Sequence, residues 1–101
     1  MPKISIEKTS SLSPQDTFSK IKNFLSDDKD LRKLDSNYQC QFDENALSGT
    51  AKGQKFQAEM SVTQDGTGSR IHLDINLPLL MTPFKSFVEK TVQEKLGNLV
   101  G

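Results

Sequence analysis

The chain has 101 residues, a single cysteine, and thirteen basic against thirteen acidic side chains, for a formal net charge of +0. That length predicts one domain over residues 1–101 with one modest core, and the lone Cys40 excludes an internal disulfide. The missing basic excess argues against a nucleic-acid partner, and no window approaches the roughly 20 apolar residues of a membrane span. The opening "MPKISIEKTSSLS" lacks the apolar run of a secretory signal, so the sequence points to the cytoplasm.

"KISIEK" alternates, with Ile4 and Ile6 on one face, and predicts a first strand with one buried side. "SLSPQDTF" then reads as a helix start: Ser13 as N-cap, Pro14 at the first helical position, Asp16 in the first turn. Phe18, Ile21 and Leu25 follow at helical spacing, with Phe24 beside them. The aspartates of "SDDKD" break this helix, and "DLRKL" predicts a short second one that turns Leu31 and Leu34 to the core.

"NYQCQF" alternates again, with Tyr38, Cys40 and Phe42 inward. "ALSGTAKG" is a weak strand of small residues. "KFQAEMSVT" is a strong one, with Phe56, Ala58, Met60 and Val62 inward. Asp65-Gly66 is a hairpin signal, and "RIHLDINL" returns with Ile71, Leu73, Ile75 and Leu77 inward and Arg70, His72, Asp74 and Asn76 outward. In "TPFKSFVEKTVQEKLGNLVG", Thr82 is the expected cap and Pro83 the first helical residue. Phe84, Phe87, Val88, Val92 and Leu96 form a stripe, Gly97 is the expected C-terminal cap, and Lys85–Glu89 and Lys90–Glu94 are spaced as surface pairs.

The resulting order is β-α-β-β-β-β-α. It predicts an α+β fold: one curved antiparallel sheet, helices packed on its apolar face, and the C-terminal helix gripped by the sheet.

Little of this pattern is catalytic. His72 and Asp74 share a strand face, but that face is expected to be open and polar, completed by Arg70, Asn76 and Glu59 of the next strand. Zinc would need more His or Cys ligands than the chain has. Cys40 lacks an adjacent base and reads as a small buried hydrophobe. "GTAKG" and "DGTGS" match no phosphate-binding loop. The expectation is a protein without enzymatic activity, metal or cofactor.

The stretch "INLPLLMTPFKSFVEK" stands out, because Leu77 to Met81 is apolar throughout a junction between elements. One reading is core alone. The other is core plus interface, in which Leu79, Leu80 and Met81 join Phe84 and Phe87 in an exposed patch of the kind that marks an interaction surface.

With these residues in view, the sequence resembles the small bacterial polyhydroxyalkanoic acid system proteins. The likeness rests on the early strand followed by "SSLS", on "LSGTAKG", and above all on "LPLLMTPFKSFVEKTVQEKL". Within that last tract Leu77, Leu79, Leu80, Pro83, Lys85, Val88, Glu89, Val92 and Leu96 carry it. Ser10 and Ser11 stand where the family often has a histidine, and Pro78 where it often has glycine, so no role passes to those positions. The resemblance implies a granule-associated or regulatory binding protein. Its partner through Leu77–Phe87 would be an apolar polymer surface or a partner protein, a homodimer included. The alternative is a small carrier with an apolar ligand between sheet and C-terminal helix.

Overall fold

The computed structural model describes residues 3–100, with the side chain of Leu34 outside the described set. Its elements are β1 (Lys3–Ser10), α1 (Pro14–Asp27), α2 (Lys29–Leu34), β2 (Gln39–Asp43), β3 (Ser48–Lys52), β4 (Gln57–Asp65), β5 (Gly68–Asn76), a 3-10 turn (Leu79–Phe84) and α3 (Lys85–Val100). The five strands form one antiparallel sheet in the order β1-β5-β4-β3-β2. The fold is α+β, with α1 and α3 against the sheet's apolar side. Because α1 and α2 carry the chain across that side, β1 and β2 end up on opposite edges.

Alternation places the core. Ile4 and Ile6 of β1, Ala58, Met60 and Val62 of β4, and Ile71, Leu73 and Ile75 of β5 are all buried. They meet Phe18, Ile21 and Leu25 of α1 and Val92, Leu96 and Val100 of α3. Phe42 and Cys40 are only half-buried, since β2 is an edge strand with one neighbour to cover it. The placement expected of Leu34 lies outside the described residues.

Local chemistry accounts for the joints. The Ser13 hydroxyl accepts from the Asp16 N–H, and Asp28 caps α2 through the Leu31 N–H, so both helix starts are satisfied. The β4–β5 hairpin turns on Gly66-Thr67, one residue later than the Asp65-Gly66 signal suggests. Gly66 takes φ +62 as the first central residue, while Asp65 pairs with Gly68. That is the demand of a type II′ turn, which needs the left-handed conformation only at its first central position.

Three expectations about the C-terminal segment need correction. Thr82 does not cap and Pro83 does not open α3; both lie inside the 3-10 turn, and α3 begins at Lys85. Inside that turn the missing N–H of Pro83 leaves the Leu79 carbonyl without an i+4 donor from the main chain. The Thr82 hydroxyl donates to that carbonyl instead, at 2.7 Å. Gly97 does not end the helix, which runs on to Val100. Leu96 and Val100, one turn apart, are both buried, and that packing outweighs the low helix propensity of glycine. Among the described residues, the ion pairs of α3 are those of Lys95 with Asp28 and Asp30, not Lys85–Glu89 or Lys90–Glu94.

Two buried polar devices hold the sheet to the rest. At one end Thr17 donates to the Ser10 hydroxyl at 2.9 Å, and its oxygen lies 2.6 Å from that of Ser69, which donates to the Leu12 carbonyl at 3.0 Å. At the other end the buried Asp35 carboxylate accepts the Lys55 N–H at 2.8 Å and the Asn37 N–H at 3.3 Å. The Lys55 N–H, foremost, holds the Asp35 carboxyl below the ordinary carboxylate range, against the opposing effect of burial.

A pH dependence follows from that direction. A carboxylate lowered in the folded state binds its proton more tightly when unfolded, so stability rises with pH. The contribution is complete above the unfolded value, near 4, and is lost as pH falls through the folded one. Asp35→Asn should therefore flatten the stability curve between about pH 5 and pH 3. Urea midpoints measured across that window for both proteins test it; parallel curves would contradict it.

Candidate functional site

Leu79, Leu80, Phe84 and Phe87 are 72%, 89%, 54% and 71% exposed, while Met81 is half-buried. The 3-10 turn explains the outward placement. Pro78 ends β5 and starts a tight turn in which the Met81 N–H reaches the Pro78 carbonyl at 2.9 Å. Leu77 is carried inward by strand alternation and is fully buried. Leu79 and Leu80 project away from the fold.

Behind this knuckle lies an apolar groove of about 400 Å³. Met81 and Phe84 from the turn, Phe87 and Val88 from α3, and Phe24 and Leu31 from α1 and α2 supply its apolar walls. None of its lining residues belongs to the sheet. The site thus sits within the helical layer, displaced from the sheet–helix space where a carrier would hold its ligand. The stripe on α3 is split accordingly: Val92 and Leu96 are core, whereas Phe84 and Phe87 are not.

Charge is confined to one rim. Lys95 donates to Asp28 at 2.7 Å and to Asp30 at 2.6 Å, tying α3 to the α1–α2 junction. These bonds push the Lys95 ammonium up, chiefly through Asp28, and hold the Asp30 carboxyl down, chiefly through Lys95. Asp30 remains largely exposed, while Asp28 is mostly covered. Nothing in the sequence pattern joins Asp28 and Asp30 to a lysine more than sixty positions later; only the packing of α3 does.

The opposite face of the sheet carries the other candidates. His72 Nδ1 lies 3.0 Å from Glu7 Oε1, and Arg70 reaches Glu7 at 3.4 Å and Asp65 at 3.2 Å. The partner is Glu7 rather than Glu59, because β1 lies on the far side of β5 and brings Glu7 opposite His72. Glu59 instead faces Asp74 across β4–β5, a like-charge pair, while Lys3 approaches Asp74 at 3.7 Å. This face is open and polar, as expected, and also concave. His72, Asp74, Glu59 and Thr50 line a shallow hollow of about 540 Å³. Among the described residues, no group of three or more His, Cys, Asp or Glu side chains is placed to hold a metal ion. A partly exposed pair such as His72–Glu7 contributes little, so His72→Gln should move stability by less than about 0.5 kcal/mol. Thermal melting of that variant checks it, and a shift of several degrees would assign His72 a larger part.

Cys40 is half-buried beneath α1, with Sγ 3.7 Å from the Leu25 carbonyl. Burial pushes its thiol up, with Arg32 working against it. The thiolate that a nucleophile requires is therefore disfavoured. Arg32 itself is structural: it lies 3.8 Å over the Tyr38 ring and donates to the Tyr38 and Ser26 carbonyls.

No family model and no curated protein matches this chain. Solved structures do. TTHA0849 from Thermus thermophilus aligns with a TM-score of 0.61 at 13% identity, over 97% of this chain and 91% of that one. Ara h 8.0201 aligns at 0.59 and 14%, over 97% and 94%. CV1439 from Chromobacterium violaceum aligns at 0.58 and 11%, over 99% and 98%. At such identities the likeness concerns the fold. The class is a helix-grip-like α+β fold. No helix among the described residues is long and apolar enough to cross a membrane.

Proposed function

We propose that this chain is a non-enzymatic binding protein that docks an apolar surface through Leu77–Phe87. The observation that carries the reading is the projecting pair Leu79 and Leu80 beside an apolar groove. Two aliphatic side chains held in water at a proline-bracketed turn gain about 1.5–3 kcal/mol each on burial against a partner, before the costs of association. The resemblance to polyhydroxyalkanoic acid system proteins supports a storage polyester as the surface, with the apolar face of a partner protein as the other target.

The carrier reading draws on the groove's volume, which falls in the range of small-molecule sites. Its position between α2, the 3-10 turn and α3 weighs against a ligand enclosed by the sheet.

Adsorption to polyester particles separates a docking surface from a structural one. The double variant Leu79→Ser, Leu80→Ser should lose adsorption while melting like the wild type, because neither side chain is buried. A wild type that ignores apolar particles and binds no partner through this face would sink the proposal. So would a double variant that adsorbs unchanged.

A further inference from the structure

We propose that a second copy of this chain covers the apolar face, with Leu79 and Leu80 of each copy seated in the other's groove. This rests on the reading of Leu77–Phe87 as the association surface. The chain carries both halves of the joint. Leu79 and Leu80 project from the 3-10 turn, and one residue later Met81 begins the wall of an unfilled groove. They do not fold back into their own groove, because the Thr82 hydroxyl on the Leu79 carbonyl and the Met81 N–H on the Pro78 carbonyl set the turn. A twofold axis between two copies places each knuckle in the facing groove, the self-complementary arrangement of an isologous dimer.

Area and charge agree with that occupant. The four exposed side chains present on the order of 500 Å² of apolar surface. The apolar share of one side of a standard homodimer interface, about 65% of roughly 800 Å², is of the same size. Lys85 is the only charged residue between Leu77 and Phe87, while the groove's rim sets Asp28 and Asp30 against the single cation Lys95 and so keeps a net negative charge. Twofold pairing sets the cation of each copy toward the acidic rim of the other. A broad polymer surface would touch the knuckle but leave the groove behind it unfilled; a second knuckle fills it.

Sedimentation velocity across two decades of protein concentration tests the dimer, with Leu80→Asp as the variant. The wild type should shift from monomer to dimer. Leu80→Asp should raise the dimer's dissociation constant roughly a hundredfold or more, since one substitution counts twice across a twofold axis, with melting of the monomer unchanged. A wild type that stays monomeric throughout overturns the proposal. If that monomer still adsorbs to polyester particles, the docking reading stands with polymer as occupant; if it adsorbs to nothing, both fall. A dimer indifferent to Leu80→Asp uses another face and also overturns the proposal.

Discussion

Leu96→Ala should cost about 3 kcal/mol of folding stability and lower the melting temperature by more than about 10 °C. Leu80→Ala should leave both nearly unchanged. The residue types are identical and only sixteen positions separate them. Leu96 is fully buried, under the packing of α3 on β1 and α1, and is flanked on its face by Val92 and Val100. Its truncation removes transfer free energy and leaves a cavity that α3 can close only by moving off the sheet. Leu80 is 89% exposed, so its loss removes no native contact of comparable size. Denaturant melts of the two variants, at a concentration where the protein is monomeric, should differ accordingly. Equal losses would mean that the 3-10 turn packs onto the core and that the exposed patch does not exist.

Gly68→Ala should be as damaging, by a different route. A Cβ at Gly68 would lie 2.1 Å from the Ser10 carbonyl oxygen, with further main-chain atoms of Ser10 and Ser11 at 3.2 and 3.3 Å. Main chain cannot swing aside as the end of a side chain can. Relief requires β1 to separate from β5 where Ser10 pairs with Ser69. That separation also opens the Ser10–Thr17–Ser69 hydroxyl cluster, leaving buried oxygens without partners at about 1–3 kcal/mol each. The expected loss is several kcal/mol, with hydrogen exchange rising first at the end of β1. An unchanged urea midpoint would show that β1 is not pinned there.

These two sites show where the sequence was legible. Alternation in "KISIEK", "KFQAEMSVT" and "RIHLDINL" determined which side chains enter the core, because a strand's two-residue period leaves one face for each set. Ser13-Pro14 determined the start of α1, because capping is a local hydrogen bond. The Asp65-Gly66 signal located the hairpin but missed its central pair by one residue, since turn and register are settled together by the pairing of β4 with β5. Other features belong to the tertiary structure alone. Gly97 stays helical because Leu96 and Val100 are held by elements far away in the chain. Glu7 meets His72 because the crossover of α1 and α2 returns the chain to the opposite edge, leaving β1 to pair with β5. The apolar stripe of α3 was visible from Phe84 to Leu96, yet periodicity reports only that a face is apolar. Whether sheet, helix or water lies against each part depends on where the sheet ends. Beyond Val88 the sheet and α1 cover the stripe; before it they do not, and that boundary leaves Phe84 and Phe87 as walls of an open groove, with Leu79 and Leu80 projecting beside it.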